Sequence, residues 1–270
     1  MLLRRRMSTL APAASLQRLL DTLDKAAPPR ILLTHGSAAH SGPLRSVAVL
    51  DSSFNPPTVA HQFLLETVAD RFGVEQKLLL LASVNADKAV HGATLPQRLQ
   101  MMQLLAQDDR SSRTLCAATA HPLFVDKAAA LRAACADDAR VLVICGYDTW
   151  IRIADPKYYE QSGGVSRALS RLFELVEVVV ASRAPASGGG APQPSLEEQA
   201  AAVAAQPQAL TNGRLHFLPN DADMAPLSSS AVRAALAQRD DAAASAIVPG
   251  CLREFIDASR LYRRSGDGEG

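Results

Sequence analysis

The stretch Val47-Ala48-Val49-Leu50-Asp51-Ser52-Ser53-Phe54-Asn55-Pro56-Pro57-Thr58-Val59-Ala60-His61 decides how this chain folds. An apolar, β-branched run ends abruptly in small polar residues. Proline then stands where a helix would open, a position it suits because its missing N–H would have no intrahelical partner there. Spacing of three puts Thr58 and His61 on one face of the opening turn, directed toward the strand end. A helix start offers unpaired N–H groups and the positive end of the helix dipole, so a phosphate is its natural ligand, with hydroxyl and imidazole as added donors.

Outward from this unit, five more short apolar runs punctuate the chain: Lys77 to Ala82, Thr114 to Ala118, Arg140 to Cys145, Leu175 to Ala181 and Arg214 to Leu218, after the first at Ser46 to Leu50. Helical periodicity fills most of the gaps, with inward faces expected at Phe63, Leu64, Val68 and Phe72, then Leu99, Met102, Leu105 and Ala106, then Ala128, Leu131 and Ala134. Continuous apolar strands separated by helices imply a parallel sheet covered on both faces, a Rossmann-like doubly wound α/β domain. Ligands in such sheets bind beyond the carboxyl ends of the strands, where strand order reverses. The expected organisation is a leader and helix over 1–45, one domain over 46–262, and a frayed, charged tail over 263–270. Within the domain, 185–207 is Gly-, Pro- and Ala-rich and reads as a mobile surface insertion, with room for a short helix, that contributes no core.

Composition narrows the function. Of 270 residues, 48% are hydrophobic and 20% charged, which predicts a packed core. Net charge is +1, which supplies no concentrated basic surface for nucleic acid or membrane, so neither is an expected partner. Cys116, Cys135, Cys145 and Cys251 form no metal-spaced pair and no disulfide framework, so no metal site is expected and a reducing compartment, cytoplasm or nucleus, fits best. At the N-terminus, Arg4-Arg5-Arg6 with no acidic residue before Asp21 has the composition of a mitochondrial presequence, although Met7 is an alternative start. Beyond it, Leu16, Leu19, Leu20 and Leu23 recur at helical spacing.

Two further segments have phosphate or sugar chemistry. In Pro226-Leu227-Ser228-Ser229-Ser230-Ala231-Val232-Arg233, Ser228 is a good N-cap, Ser229 and Ser230 add hydroxyls at a helix start, and Arg233 offers a fork for phosphate oxygens. Taken alone, such a serine run is an ordinary helix cap; paired with the Thr58/His61 start, it suggests a second anion-binding turn. Cys145-Gly146-Tyr147-Asp148 closes the fourth strand with residues that also suit a plain turn.

Together these residues resemble the nucleotidyltransferase superfamily, and in particular a fungal-type branch of its nicotinamide mononucleotide (NMN) adenylyltransferases. Ser53-Phe54-Asn55-Pro56, Thr58 and His61 match the signature Gly-Ser-Phe-Asn-Pro-x-Thr-x-x-His, with Ser52 standing where that signature has Gly. Leu227 to Arg233 is similar to its Ile-Ser-Ser-Thr-x-x-Arg, and Gly146 with Asp148 to its Gly-x-Asp. The resemblance implies adenylyl transfer from ATP to NMN or its nicotinic acid counterpart. It implies His61, Thr58, Lys88 and Arg233 as catalytic groups, and Ser52, Ser53, Phe54, Asn55, Gly146, Asp148 and Ser228 to Ser230 around the nucleotide. It further implies Arg98, Phe124 and Tyr159 at the acceptor, Tyr159 falling where the NMN adenylyltransferases stack a Trp on the pyridine ring. Mg2+ would be carried by the ATP phosphates. Two alternatives stay open: another adenylyl- or cytidylyltransferase of the superfamily, and a nucleotide-binding sensor with little turnover, suggested by Ser52. Oligomeric state is not readable from the sequence.

Overall fold

The computed structural model describes residues 9–36, 42–83, 92–183 and 194–263. Seven strands make one sheet: β1 (Leu32–His35), β2 (Leu44–Asp51), β3 (Gln76–Ala82), β4 (Thr114–Thr119), β5 (Cys135–Gly146), β6 (Glu177–Ala181) and β7 (Leu215–Leu218). Their order is β1-β4-β3-β2-β5-β6-β7, every pair parallel except β1 against β4. The expected doubly wound sheet is therefore present, with one antiparallel edge strand added. That strand lies inside the span read as leader, so the sheet draws on residues before 46. Its four residues are only half-buried, and so short an edge segment lacks the apolar run that marks an interior strand.

Strand order reverses between β2 and β5, because the chain builds outward through β3 and β4 before returning to the other side of β2. Alternate residues of each interior strand face opposite layers, as a period of two requires. Ala48 and Leu50 join Leu79, Leu81, Leu142 and Ile144 in one core, while Val47 and Val49 join Leu78, Leu80, Val141 and Val143 in the other. The first core is roofed by helices α1 (Ala13–Leu20), α2 (Val59–Phe72), α3 (Leu95–Asp108), α9 (Ser229–Ala237), α10 (Asp241–Ile247) and α11 (Gly250–Ala258). The second lies under α4 (Phe124–Ala133), α5 (Tyr147–Ile153), α6 (Val165–Leu175) and α7 (Leu196–Ala204), with the one-turn α8 (Gln208–Thr211) beside them. Among the described residues no helix is long and apolar enough to cross a membrane.

Three expectations shift. On α2 Val68 is buried and Leu64 and Phe72 pack half-buried against the same core as expected, joined by Leu65 and Ala69, but Phe63 is exposed. The helix opens at Val59, two residues past Pro57, with Thr58 as N-cap, so neither proline is inside it. On α3, Leu99, Met102, Leu105 and Ala106 are inward as expected, but Met101, Gln103 and Leu104 are buried too, because α1 packs across its outer side. The span 185–207 is not free of core: within it α7 buries Gln199 completely and Val203 nearly so. A capping box starts this helix, Ser195 N–H donating to Glu198 Oε2 at 2.6 Å and Glu198 N–H to Ser195 Oγ at 3.1 Å.

Candidate active site

At the switch point a cavity of about 600 Å³ opens between the ends of β2, β5 and β6 and the starts of α2, α4, α5 and α9. Ser52, Ser53, Asn55, Thr58, His61, Arg98, Phe124, Gly146, Asp148, Tyr159, Ser228, Ser229, Ser230 and Arg233 all line it. Phe54 lies beneath, fully buried, with its ring 5.3 Å from that of His61. Lys88 falls outside the described residues. Residues scattered over most of the sequence thus converge on one cleft, as strand-end chemistry in this fold class requires.

His61 is fixed by its own helix start. Thr58 N–H donates to His61 Nδ1 at 3.0 Å, and Thr58 Oγ1 lies 2.7 Å from the same nitrogen. Accepting at Nδ1 leaves the proton on Nε2, so the imidazole presents an N–H donor. That N–H points to Ser52 Oγ at 3.0 Å. Burial, reinforced by the Arg183 guanidinium, pushes the His61 pKa down to about 4, and the ring is neutral at physiological pH.

The loop ahead of α2 is held by its carbonyls. Arg98, 2% exposed, donates to Ala93 O at 2.9 Å and Ser53 O at 3.4 Å. Arg233 donates to Asn55 O at 2.7 Å and Ser230 Oγ at 3.0 Å. Ser229 Oγ donates to Pro56 O at 2.7 Å, and Asn55 Oδ1 accepts from Ala93 N–H at 3.2 Å. The Asn55–Pro56 bond is cis. Desolvation lowers the Arg98 pKa, with Arg233 adding to the effect and the Tyr262 phenol opposing it. Phe54, not Ser52, takes the left-handed conformation, with φ +45°. Positive φ is rare for a bulky residue and costs about 1 to 3 kcal/mol, a strain that burial of the ring can hold in place. Ser52 occupies ordinary backbone, which a β-carbon tolerates.

On the opposite wall Asp148 is paired with Arg183, Nε to Oδ2 at 3.1 Å. Gly146 lies beside the Arg183 side chain; a Cβ there would meet Arg183 Nε at 3.5 Å, ordinary van der Waals contact. At the far end Phe124 and Tyr159 supply aromatic surface, and Tyr159 is buried enough that its hydroxyl pKa is pushed up to about 12, by desolvation first and then by Asp126 and Tyr158. Sequence reasoning missed three contributors here. Asp51 and Lys127 form a buried ion pair at 2.5 Å, with Lys127 Nζ 4.6 Å over the Phe124 ring, and Arg183 follows β6. Asp51 ends a strand and Lys127 lies one turn after Phe124, positions that could have drawn attention; Arg183 carried no local signal beyond ending a strand.

The arrangement offers hydroxyls, a neutral imidazole N–H and guanidinium forks on one side, and an aromatic slot on the other. Its two carboxylates, Asp51 and Asp148, are each held by a base. Such a donor set takes phosphate oxygens and a flat ring. The chain is 34% identical over 139 residues to a Schizosaccharomyces pombe protein named "Putative nicotinamide mononucleotide adenylyltransferase", covering 52% of this chain and 54% of that one, so it spans about half the length of the curated relative it matches. Its fold matches Plasmodium falciparum nicotinic acid mononucleotide adenylyltransferase in complexes with NaAD and with APC, at TM-scores of 0.55 and 0.54, 12% identity, and coverage of 81% of this chain and 97% of that one. The cytidylyltransferase-like family matches residues 49–235, from inside β2 to inside α9, and the chain belongs to that family.

Proposed function

We propose that this protein transfers the adenylyl group of ATP to nicotinamide mononucleotide or nicotinic acid mononucleotide. An oxygen of the acceptor's phosphate attacks the α-phosphorus, the bond to the α–β bridging oxygen breaks, and pyrophosphate leaves. No protein nucleophile is required, because the acceptor brings its own; catalysis is positioning and charge neutralisation. Mg2+ enters as part of the nucleotide substrate. The observation that carries this reading is the locked tautomer of His61, whose Nε2–H faces the same cleft as Arg233 and the Ser228 to Ser230 turn. His61 would donate to the α-phosphate as charge builds, and Arg233 and the serines would hold the outer phosphates. Phe124 and Tyr159 would pack the pyridine ring, and Lys88 and Arg98 would favour the acceptor phosphate. The names of the relative and the two solved complexes support the same reaction.

One observation favours a second reading, a nucleotide binder with little turnover: Ser52 Oγ accepts the hydrogen bond that His61 would give to the substrate. Incubation with ATP or CTP and a panel of phosphate acceptors, with products identified by mass spectrometry, separates the readings. A dinucleotide from ATP and a pyridine mononucleotide is expected; ATP binding without any product supports the binder, and a product from CTP or a phospho-alcohol overturns the proposal.

A further inference from the structure

Beyond Ala181, the last residue of β6, the chain continues toward the cavity as Ser182-Arg183. Ser182 N–H still bonds Leu218 O of β7 at 3.0 Å, but Arg183 has left the sheet. Its backbone is caught instead by one side chain. Arg183 N–H donates to Gln199 Oε1 at 3.0 Å and Gln199 Nε2 donates to Arg183 O at 2.9 Å, as a neighbouring strand would. The same amide nitrogen donates to Pro194 O at 2.8 Å. Gln199 is 0% exposed, and a buried amide is costly unless its donor and acceptor are both met. A residue needed only to fill space under α7 would be apolar; this one meets both backbone groups of Arg183 and the carbonyl of Pro194.

What is held is useful. The Arg183 side chain stays out of the core, beside Gly146 and across the cleft, where it lines the cavity with Asp148 and is close enough for its charge to act on His61. With the backbone anchored, a ligand has only the long side chain left to order, which lowers the cost of binding. We propose that Arg183 binds a phosphate oxygen of the nucleotide substrate beside His61, and that Gln199 of α7 is the positioning residue that sets it there. This rests on the nucleotide reading above, and it gives the packed half of the 185–207 segment a task.

Calorimetric binding of Mg-ATP to the full chain, Arg183→Met, Gln199→Met and the double variant tests it. Loss of a charge-assisted bond predicts about ten- to hundredfold weaker binding for Arg183→Met. A smaller loss is expected for Gln199→Met, and the double variant should bind no more weakly than Arg183→Met, since one residue acts through the other. Unchanged affinity in Arg183→Met, or losses that add in full, overturns the inference; additivity is what a merely structural Gln199 would give. Should Gln199→Met fail to fold, Gln199→Glu, which keeps the acceptor for Arg183 N–H, replaces it in the same cycle. Product formation is scored separately. A coupled ATP cycle without dinucleotide sinks adenylyl transfer and keeps the inference, whereas turnover with additive losses does the reverse.

Discussion

At the start of α2 the polar groups bond one another, whereas at the start of α9 they bond a different segment. Thr58 and His61 close a box within one helical turn, with Thr58 fully buried. Ser228 caps its own helix through Ala231 N–H, but Ser229 and Arg233 spend their donors on the carbonyls of Pro56 and Asn55, and Ser230 is exposed. The first start is therefore preorganised, its imidazole aimed before any ligand arrives, while the second holds the signature loop with groups that a polyphosphate could recruit. Preorganised donors act mainly on the transition state, recruitable ones on binding.

Variants that break one start and spare the other sharpen this contrast. The largest effect is expected for His61→Ala, about 10² to 10³ in kcat, as for loss of one preorganised donor. Because His61 also completes the cap, a stability loss of about 1 kcal/mol should accompany it; unchanged turnover would remove His61 from the mechanism. Arg233→Ala should act chiefly on KM for ATP, by about tenfold to a hundredfold, with a smaller change in kcat. Equal losses in kcat and kcat/KM would show that the two starts do the same work. Thr58→Val keeps the shape and the backbone N–H to Nδ1 but removes the hydroxyl. Thermal melts should show about 1 kcal/mol lost, and steady-state rates a fall of less than about tenfold. A loss as large as that of His61→Ala would mean that the hydroxyl alone sets the tautomer.

Smaller still is Ser52→Gly. Its hydroxyl competes for His61 Nε2–H, so kcat/KM should rise about two- to fivefold. With no positive φ to relieve, melting temperature should not increase, since glycine only adds freedom to the unfolded chain. A gain above tenfold would mark that bond as a brake on turnover. Last comes an effect expected to be absent: the pH profile of kcat should show no limb near 6.5, because His61 is neutral down to about pH 4. Stability should respond instead. The unfolded chain takes up the proton first as pH falls, so the His61 contribution, intact above about 6.5, declines toward pH 4, and the melting temperature of His61→Gln should fall less over that range. An NMR titration of His61 near 6.5 would overturn both statements.

Much of this was legible in residue order. Continuous apolar runs separated by periodic helices were enough for a doubly wound sheet, because burial on both faces demands them. The hydroxyl and imidazole spacing at Thr58 and His61, and the serines before Arg233, marked both anion-binding turns, because capping chemistry is local. Contacts made between distant segments were not legible. The edge strand at Leu32–His35 exists only through pairing with β4. Strain sits at Phe54 because carbonyl ties from Arg98, Arg233 and Ser229 shape that loop from outside. The helix after the Gly/Pro-rich run could have been read from Ser195-Leu196-Glu197-Glu198, a capping signature. That Gln199 would turn inward to grip Arg183, or that Asp51 would meet Lys127, needed the packed molecule. Local sequence determined which segments become strands, helices and caps, since those preferences act over a few residues. Only the tertiary structure decided which side chains share the cleft, because a buried hydrogen bond or ion pair is worth forming only once packing has removed water from both partners.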